Sequence, residues 1–204
     1  MGRRPRVVVT GVGVMTPLGL TLEATWRRLV AGESGIDEIS QFDASALPSR
    51  IAGELKRFDP TDYIDSKEAR RMARCSQVAV ATAQEALTDA GLTLPLENPE
   101  RVGTLIGSGV GGYERAIEGV DAYREKGLRR VNPFLPISML SNMPSHHVSY
   151  WSGAKGPIST VVAACATGTQ AIGEAAEYIR RGAADVMICG GVDAMIHFTL
   201  LVGV

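Results

Sequence analysis

Short apolar runs, separated by amphipathic or glycine-rich segments, predict buried strands that alternate with helices. Continuous β-branched stretches such as Val7-Val8-Val9 are typical of strands buried on both faces. Strands are predicted over Arg6–Val14, Val102–Ile106, Ile158–Ala164 and Asp185–Cys189. Their alternation with helices indicates the α/β fold class with a mainly parallel sheet.

Apolar residues at helical spacing, together with capping residues, predict the helices. Thr21 and Gly32 flank a helix over Leu22–Ala31, as an N-cap and a residue beyond the end should. The longest predicted helix covers Lys67–Ala90 and ends at Gly91. Further helices are predicted over Tyr113–Glu125, over Ser138–Ser152 with Pro144 near its start, and from Ala166 to about Arg181. The proline- and glycine-containing region 33–66 is predicted to be irregular, and Gly11 and Gly13 to form a tight turn.

Composition narrows the class of protein. The chain has 204 residues, of which 45% are hydrophobic and 21% are charged, and its net charge is −1. This is ordinary globular composition, and it gives no general attraction to nucleic acid or to an anionic membrane. No apolar run reaches membrane-spanning length. The three cysteines, Cys75, Cys165 and Cys189, lack the spacing of a zinc site or a disulfide framework, so we expect no metal and a cytoplasmic protein.

Cys165 lies at the predicted joint between a strand and a helix, and small residues follow it (Ala166-Thr167-Gly168-Thr169). The unpaired N–H groups and the positive dipole end of a helix start favour the thiolate, which is the nucleophilic form of cysteine. The same N–H groups could stabilise an oxyanion. The alternative is a buried cysteine that acts only as a small hydrophobe. Position alone leaves both interpretations open.

Other candidate motifs favour structural roles when they are taken by themselves. The segment 107–112, GSGVGG, satisfies the GxGxxG pattern, but no suitably placed acidic residue follows it, so a close backbone approach is favoured over a dinucleotide site. The histidines His146, His147 and His197 are interpreted as structural or surface residues. Two basic groups, at 67–71 and 129–130, are typical of a solvated face.

Several motifs together resemble the β-ketoacyl-[acyl-carrier-protein] synthases, and most closely the type II synthases of bacterial fatty-acid synthesis. The likeness rests on the block VVAACATG at 161–168, on GAADV at 182–186, on RVVVTGVGVMTPLG at 6–19, on GSGVGG, and on NPFLP at 132–136. These motifs occur in the family's order over nearly the whole chain. The resemblance implies a thiolase-like fold with α/β/α/β/α layers, built from two similar halves.

Residues 1–204 resemble the N-terminal half of such a synthase. The family's two catalytic histidines and its lysine lie in second-half motifs that do not occur in this sequence. The resemblance implies decarboxylative condensation of an acyl chain, held on Cys165, with a malonyl group. Both substrates arrive on acyl carrier protein, and no cofactor is needed. We expect a homodimer, and we expect that these 204 residues alone do not catalyse the condensation.

The resemblance also assigns roles to individual positions. It implies an acyl-chain pocket formed by Val110, Leu135, Ala164, Phe198, Leu200 and Val204, with Leu135 reaching into a dimer partner. It implies that acyl carrier protein docks on Lys67, Arg70, Arg71, Arg129 and Arg130. Three alternatives stay open: a condensing enzyme of polyketide synthesis, a non-catalytic chain-length factor, and a fragment that only binds the carrier.

Overall fold

A computed structural model describes residues 5–202. Its helices in chain order are α1 Leu22–Val30, α2 Ser66–Ala69, α3 Arg74–Asp89, α4 Tyr113–Lys126, α5 Leu135–Ser138, α6 Met143–Ser152, α7 Thr167–Arg180 and α8 Phe198–Leu201. Its strands are β1 Asp37–Glu38, β2 Ile51–Ala52, β3 Val102–Gly107, β4 Ile158–Ser159 and β5 Val186–Gly191. No helix within these residues combines the length and the hydropathy needed to cross a bilayer.

Within the described residues the central sheet has the order β4-β3-β5, and both of its strand pairs are parallel. Val102 lies opposite Val186 at one end of the β3–β5 ladder, and Gly107 lies opposite Gly191 at the other. All six residues of β3 are buried, which explains why its sequence shows no alternation of charged and apolar positions. The predicted α/β class and parallel sheet are confirmed.

Helices cover both faces of β3. The hydroxyl of Thr104 donates to the carbonyl of Ser145 in α6, and the Ser145 hydroxyl accepts from the N–H of Ile106. Val148 of α6 is fully buried in one core with Val80 of α3 and Ile106. Because side chains alternate along a strand, Gly107 faces the opposite side, where the methyl group of Thr167 in α7 lies against it. The layers are therefore α3, α6, the sheet and α7.

The predicted strand over Arg6–Val14 is wrong. Residues 5–15 form no ladder, and the side chains of Val8 and Val9 are 63% and 76% exposed. The N–H groups of Val12 and Val14 instead donate to the carboxylates of Asp89 and Glu85 in α3, both at 2.8 Å. A strand needs a neighbour, and within residues 5–202 no strand lies alongside this segment.

Gly11 and Gly13 serve close packing rather than the predicted tight turn. A Cβ on Gly13 would lie 2.1 Å from the backbone oxygen of Thr82, and one on Gly11 would lie 2.3 Å from that of Ala86. Both oxygens belong to α3. The absence of side chains at these positions therefore allows the N-terminal segment to lie directly on this helix.

The predicted long helix over Lys67–Ala90 is broken into α2 and α3. Ala73 is extended, with ψ 159°, and the N–H of Arg74 donates to the carboxylate of Glu114 at 3.0 Å. Burial raises the pKa of Glu114, and the hydrogen bond from Arg74 opposes that shift. The break depends on a residue 40 positions away, so local periodicity does not reveal it.

Other boundaries differ in smaller ways. The helix predicted over Ser138–Ser152 is divided into α5 and α6, with Pro144 in the first turn of α6 as expected. The strand predicted over Ile158–Ala164 pairs only at Ile158–Ser159. The region predicted to be irregular contains the short antiparallel pair β1–β2. The N-cap at Thr21 is confirmed, because its side chain accepts a hydrogen bond from the N–H of Ala24.

Candidate active site

Cys165 lies where the sequence places it, between a strand and a helix. The chain leaves β4, passes through a 3₁₀ turn at Ala164–Ala166, and enters α7 at Thr167. Because β3, β4 and β5 are parallel, their carboxyl ends meet at one edge of the sheet. Active sites of open parallel sheets form at this edge. The Cys165 side chain is exposed there, so it is not a buried small hydrophobe.

The backbone just before Cys165 is strained. Ala164 has a φ of +47°, in the left-handed region that residues with a Cβ seldom adopt. The turn is held by Thr167, whose buried hydroxyl accepts from the N–H of Ala163 at 2.8 Å. Strain of this kind persists only where surrounding contacts impose it, and it is concentrated at functional sites.

Close packing brings the start of α7 onto the ends of β3 and β5. A Cβ on Gly191 would lie 2.6 Å from the Cα of Gly168, and one on Gly107 would lie 2.4 Å from the Thr167 methyl group. Neither space can hold a side chain. The sequence thus allows the first turn of a 14-residue helix to lie directly on the sheet beside Cys165.

The three cysteines differ in environment. Cys75 is fully buried in α3, and burial, with a smaller contribution from the charge of Glu114, raises its pKa to about 12. Burial also raises the pKa of Cys189 in β5. At neutral pH these two residues are protonated thiols, and such thiols are poor nucleophiles. Cys165 is the exposed member of the set.

Asp193, just after β5, binds the glycine-rich loop 107–112 that follows β3. Its carboxylate accepts from the Ser108 hydroxyl at 2.9 Å and from the N–H groups of Gly109 and Val110 at 3.0 and 3.4 Å. The Ser108 hydroxyl also accepts from the N–H of Gly111 at 2.8 Å. Because a carboxylate of the protein already binds this loop, its N–H groups are not free for the phosphates of a dinucleotide.

The sequence alone does not single out Asp193. The available signal is an acidic residue two positions after a strand, beside the end of another strand in a parallel sheet. That signal depends on the pairing of β3 with β5, which is known only once the sheet order is known. Two strands 84 positions apart thus contribute to one loop geometry.

The structure brings together some of the predicted pocket residues. Val110 and Ala164 lie on adjacent loops, since a Cβ on Gly109 would lie 3.8 Å from the Ala164 oxygen. Leu135 packs against Gly119 of α4 in the same chain. Phe198 of α8 makes an edge-to-face contact with Phe42, with ring centroids 6.1 Å apart, and Leu200 is half-buried in the same helix. Val204 lies outside the described residues.

The predicted docking cations form two groups that Arg115 connects. Lys67 and Arg70 are exposed on α2, while Arg71 pairs with Glu68 at 2.9 Å and lies over the Phe134 ring. Arg129 and Arg130 are exposed in a 3₁₀ turn after α4. The Arg115 guanidinium lines a cavity of about 310 Å³ with Arg70 and one of about 170 Å³ with Arg130. Of the five predicted cations, Arg70 and Arg130 thus line two neighbouring depressions that share Arg115, a residue that the sequence alone does not identify.

The histidines have structural environments. His146 and His147 are adjacent on α6, with ring centroids 5.1 Å apart. Burial lowers the pKa of His147 to about 4, so its ring is neutral at neutral pH. His197 caps α8 through contacts with Thr199. Within residues 5–202 no group of three or more histidine, cysteine or acidic side chains is arranged to hold a metal ion.

Comparisons with known proteins agree with this geometry. A family model described as the beta-ketoacyl synthase N-terminal domain matches residues 4–204. The chain is 43% identical over 203 residues to 3-oxoacyl-[acyl-carrier-protein] synthase 2 of Staphylococcus aureus strain COL, covering all of this chain and 49% of that protein. The chain thus spans about half the length of the curated relatives that it matches.

Solved ketosynthases share the fold. The ishigamide ketosynthase/chain length factor superposes with a TM-score of 0.85 at 29% identity, over 97% of this chain and 50% of that chain. A type II PKS acyl-carrier protein in complex with its ketosynthase gives a TM-score of 0.82 at 26% identity, over 97% of this chain and 53% of that chain. The fold is the thiolase-like α/β fold. The exposed cysteine at the strand–helix joint and the match along the whole chain lead to one assignment: the chain belongs to the β-ketoacyl synthase family.

Proposed function

We propose that the protein containing this chain is a 3-oxoacyl-[acyl-carrier-protein] synthase that extends fatty acyl chains by decarboxylative Claisen condensation. The observation that carries the proposal is Cys165, an exposed thiol at the carboxyl edge of a parallel sheet, in the 3₁₀ turn that leads into α7. The 43% identity to 3-oxoacyl-[acyl-carrier-protein] synthase 2 supports fatty-acid elongation as the process.

In the first half-reaction Cys165 accepts the acyl chain. Its thiolate sulfur attacks the thioester carbonyl, the bond from that carbon to the carrier sulfur breaks, and the carrier leaves as a thiol after taking up a proton. The Cys165 N–H contributes to the oxyanion hole that stabilises the tetrahedral intermediate. The acyl chain then lies against Val110 and Ala164, and we assign Phe198 and Leu200 to the same pocket. Val204, assigned to it from the sequence, lies outside the described residues. Leu135, which packs against Gly119 of its own chain, is assigned to the part of this pocket at the dimer interface.

In the second half-reaction a carrier protein loaded with a malonyl group takes the place of the first carrier. The malonyl group loses carbon dioxide, and the resulting carbanion attacks the acyl-cysteine carbonyl. The carbon–sulfur bond to Cys165 then breaks. The chain is two carbons longer, and Cys165 returns to its starting form. We assign the polarising histidines of this step to the remainder of the protein. The 204-residue chain by itself is expected to accept an acyl group at most.

Acyl carrier protein is the proposed partner. We assign its docking to Lys67, Arg70, Arg71, Arg129 and Arg130, of which Arg70 and Arg130 line neighbouring depressions on a chain whose net charge is −1. A local cationic surface accelerates encounter with an acidic carrier. One structural relative was solved in complex with its acyl-carrier protein, which supports this type of partner. We also propose that the protein forms a homodimer, that it is located in the cytoplasm, and that it uses no cofactor.

A polyketide ketosynthase is the second candidate, because the solved relatives include ketosynthases of that type at 26–29% identity. The higher identity to a fatty-acid synthase favours the first. Product analysis of the full-length protein distinguishes the two candidates. A fatty-acid synthase yields saturated chains when the reducing enzymes of fatty-acid synthesis are supplied, whereas a polyketide ketosynthase yields poly-β-ketones by repeated condensation without reduction. Cys165 disfavours a chain-length factor, which lacks the nucleophile.

Intact-mass spectrometry tests the proposal. The full-length protein is incubated with an acyl-phosphopantetheine thioester and then digested for peptide mapping, with Cys165→Ser as the control variant. We expect one acyl adduct, located on Cys165 and lost in the variant. Equal labelling of Cys75, Cys165 and Cys189, or no labelling at all, contradicts the proposal.

A further inference from the structure

Backbone hydrogen bonds join the two ends of the glycine-rich loop 107–112 to Val192 and Met139, and a side chain holds its middle. The Asp193 carboxylate accepts three hydrogen bonds from it, from the hydroxyl of Ser108 and the N–H groups of Gly109 and Val110. The Ser108 side chain is fully buried, and its hydroxyl extends the contact to the N–H of Gly111. One carboxylate thus fixes four consecutive residues.

The same carboxylate lies close to the nucleophile's turn. A Cβ on Gly109 would lie 3.3 Å from Asp193 Oδ2 and 3.8 Å from the backbone oxygen of Ala164. Gly109 is therefore within packing distance of both Asp193 and the residue that precedes Cys165. Movement of the loop would change the position of Val110 relative to the site where an acyl group is attached.

We propose that Asp193 is a positioning residue for the acyl chain, because its carboxylate holds the glycine-rich loop so that Val110 forms a fixed wall beside Ala164 and Cys165. The residue acts through Val110 and does not touch the reacting atoms. Its effect is to set which acyl chain lengths are accepted. This inference rests on the proposed function.

Asp185 provides a matched control. It also joins β3 to β5, but at the opposite end of the sheet, where its carboxylate pairs with Arg101 at 2.6 Å. Asp185 directly precedes β5, and Asp193 follows the end of the same strand by two positions. Removing either aspartate side chain removes a connection between β3 and β5. Only the removal of the Asp193 side chain also releases the loop that carries Val110.

The experiment compares rates of Cys165 acylation in the full-length protein with a short and a long saturated acyl-pantetheine thioester. The variants are Asp193→Ala, Asp193→Asn, Asp185→Ala and Ser108→Ala, and the rate of Cys165 alkylation by iodoacetamide is measured in each. Ser108→Ala removes one buried hydroxyl without adding volume, so it tests the loop even if Asp193→Ala does not fold. The selectivity is the ratio of the two acylation rates.

We expect Asp193→Ala to change the selectivity about tenfold or more, because several hydrogen bonds to a charged group are lost. Alkylation by the small reagent should change less than about threefold, because access to the sulfur itself is retained. Asp193→Asn keeps one acceptor oxygen and should partly restore the selectivity, Ser108→Ala should shift it in the same direction, and Asp185→Ala should leave it unchanged.

Unchanged selectivity in both Asp193→Ala and Ser108→Ala overturns the inference, and so does an equal change in Asp185→Ala. A parallel fall in acylation and alkylation also overturns it, because that result shows general damage to the site. A wild-type protein that acquires no acyl group on Cys165 contradicts the proposed function itself. The two failures are therefore distinguishable.

Discussion

The two ends of the parallel sheet join the same strands in different ways. At the amino ends of β3 and β5, Arg101 pairs with Asp185, and their side chains are 42% and 67% exposed to solvent. At the carboxyl ends, Asp193 accepts hydrogen bonds from a buried hydroxyl and from backbone N–H groups. The first connection joins two surface charges, whereas the second determines the path of a loop.

This difference between the two ends of the sheet accompanies the position of the candidate active site, which lies at the carboxyl end. The amino end has an ion pair that water and salt weaken, and its neighbouring Gly182 has open space around it. The carboxyl end combines the strained Ala164, the tight contact between Gly168 and Gly191, and the exposed Cys165. The tight packing at the carboxyl end thus keeps the backbone around Cys165 in its strained conformation.

The largest expected effect is that of Cys165→Ala at the carboxyl end. We expect acylation to fall by at least about a thousandfold, because the nucleophile is lost, while thermal stability changes little, because the side chain is exposed. Cys189→Ala, in β5, is the control and should retain acylation. Intact-mass spectrometry and thermal unfolding measure the two quantities. Acylation that persists in Cys165→Ala would mean that another residue is the acceptor.

Paired glycine substitutions compare the ends directly. Gly191→Ala should destabilise the protein by roughly 3 kcal/mol, because the new Cβ would overlap the backbone of α7. Gly182→Ala should cost only about 1 kcal/mol, the penalty for a left-handed residue in open space. Urea unfolding of the full-length protein measures both.

The rate of Cys165 acylation gives a second comparison of the same two glycine variants. Gly191→Ala moves the start of α7 and should lower Cys165 acylation, whereas Gly182→Ala should retain it. Equal losses of acylation in the two variants would show that the ends are not functionally distinct. A Gly191→Ala protein as stable as the wild type would show that α7 shifts readily relative to the sheet.

The sequence predicts elements well where one local signal decides the outcome. Burial on both faces leaves β3 without charged residues, and the Thr21 side chain caps the first helix by itself. Cys165 is placed correctly because a strand, small residues and a helix follow one another in the chain. These features need no knowledge of distant neighbours.

Features that depend on distant partners are not predictable in this way. The extended Ala73 breaks a helical pattern because Glu114 binds the N–H of Arg74. The Val7–Val9 run has strand composition, but composition does not supply a neighbouring strand. Asp193 acquires its role only when β5 pairs with β3. An apolar run therefore shows that a segment can be buried, and the sheet order determines which residues meet.

The smallest expected effect is that of Asp185→Asn at the amino end. The Arg101 hydrogen bond lowers the pKa of Asp185 from its usual 3.8, so the ionised carboxylate is favoured in the folded state. Its stabilising contribution is therefore present above that value and is lost as the pH falls through the lower folded-state pKa. Asp185→Asn should be slightly less stable than the wild type at neutral pH, and the difference should vanish in acid and in high salt.

Urea unfolding at neutral and acidic pH, each in low and high salt, measures the Asp185→Asn difference. Asp193→Asn is the matched control, because the described partners of Asp193 are a hydroxyl and N–H groups rather than a cation. Its effect on stability should be nearly independent of salt. If the stability difference between Asp185→Asn and the wild type did not depend on salt, the interaction at the amino end would not be an exposed ion pair. If Asp185→Asn changed acyl-chain selectivity as Asp193→Ala is expected to, the contrast between the two ends would fail.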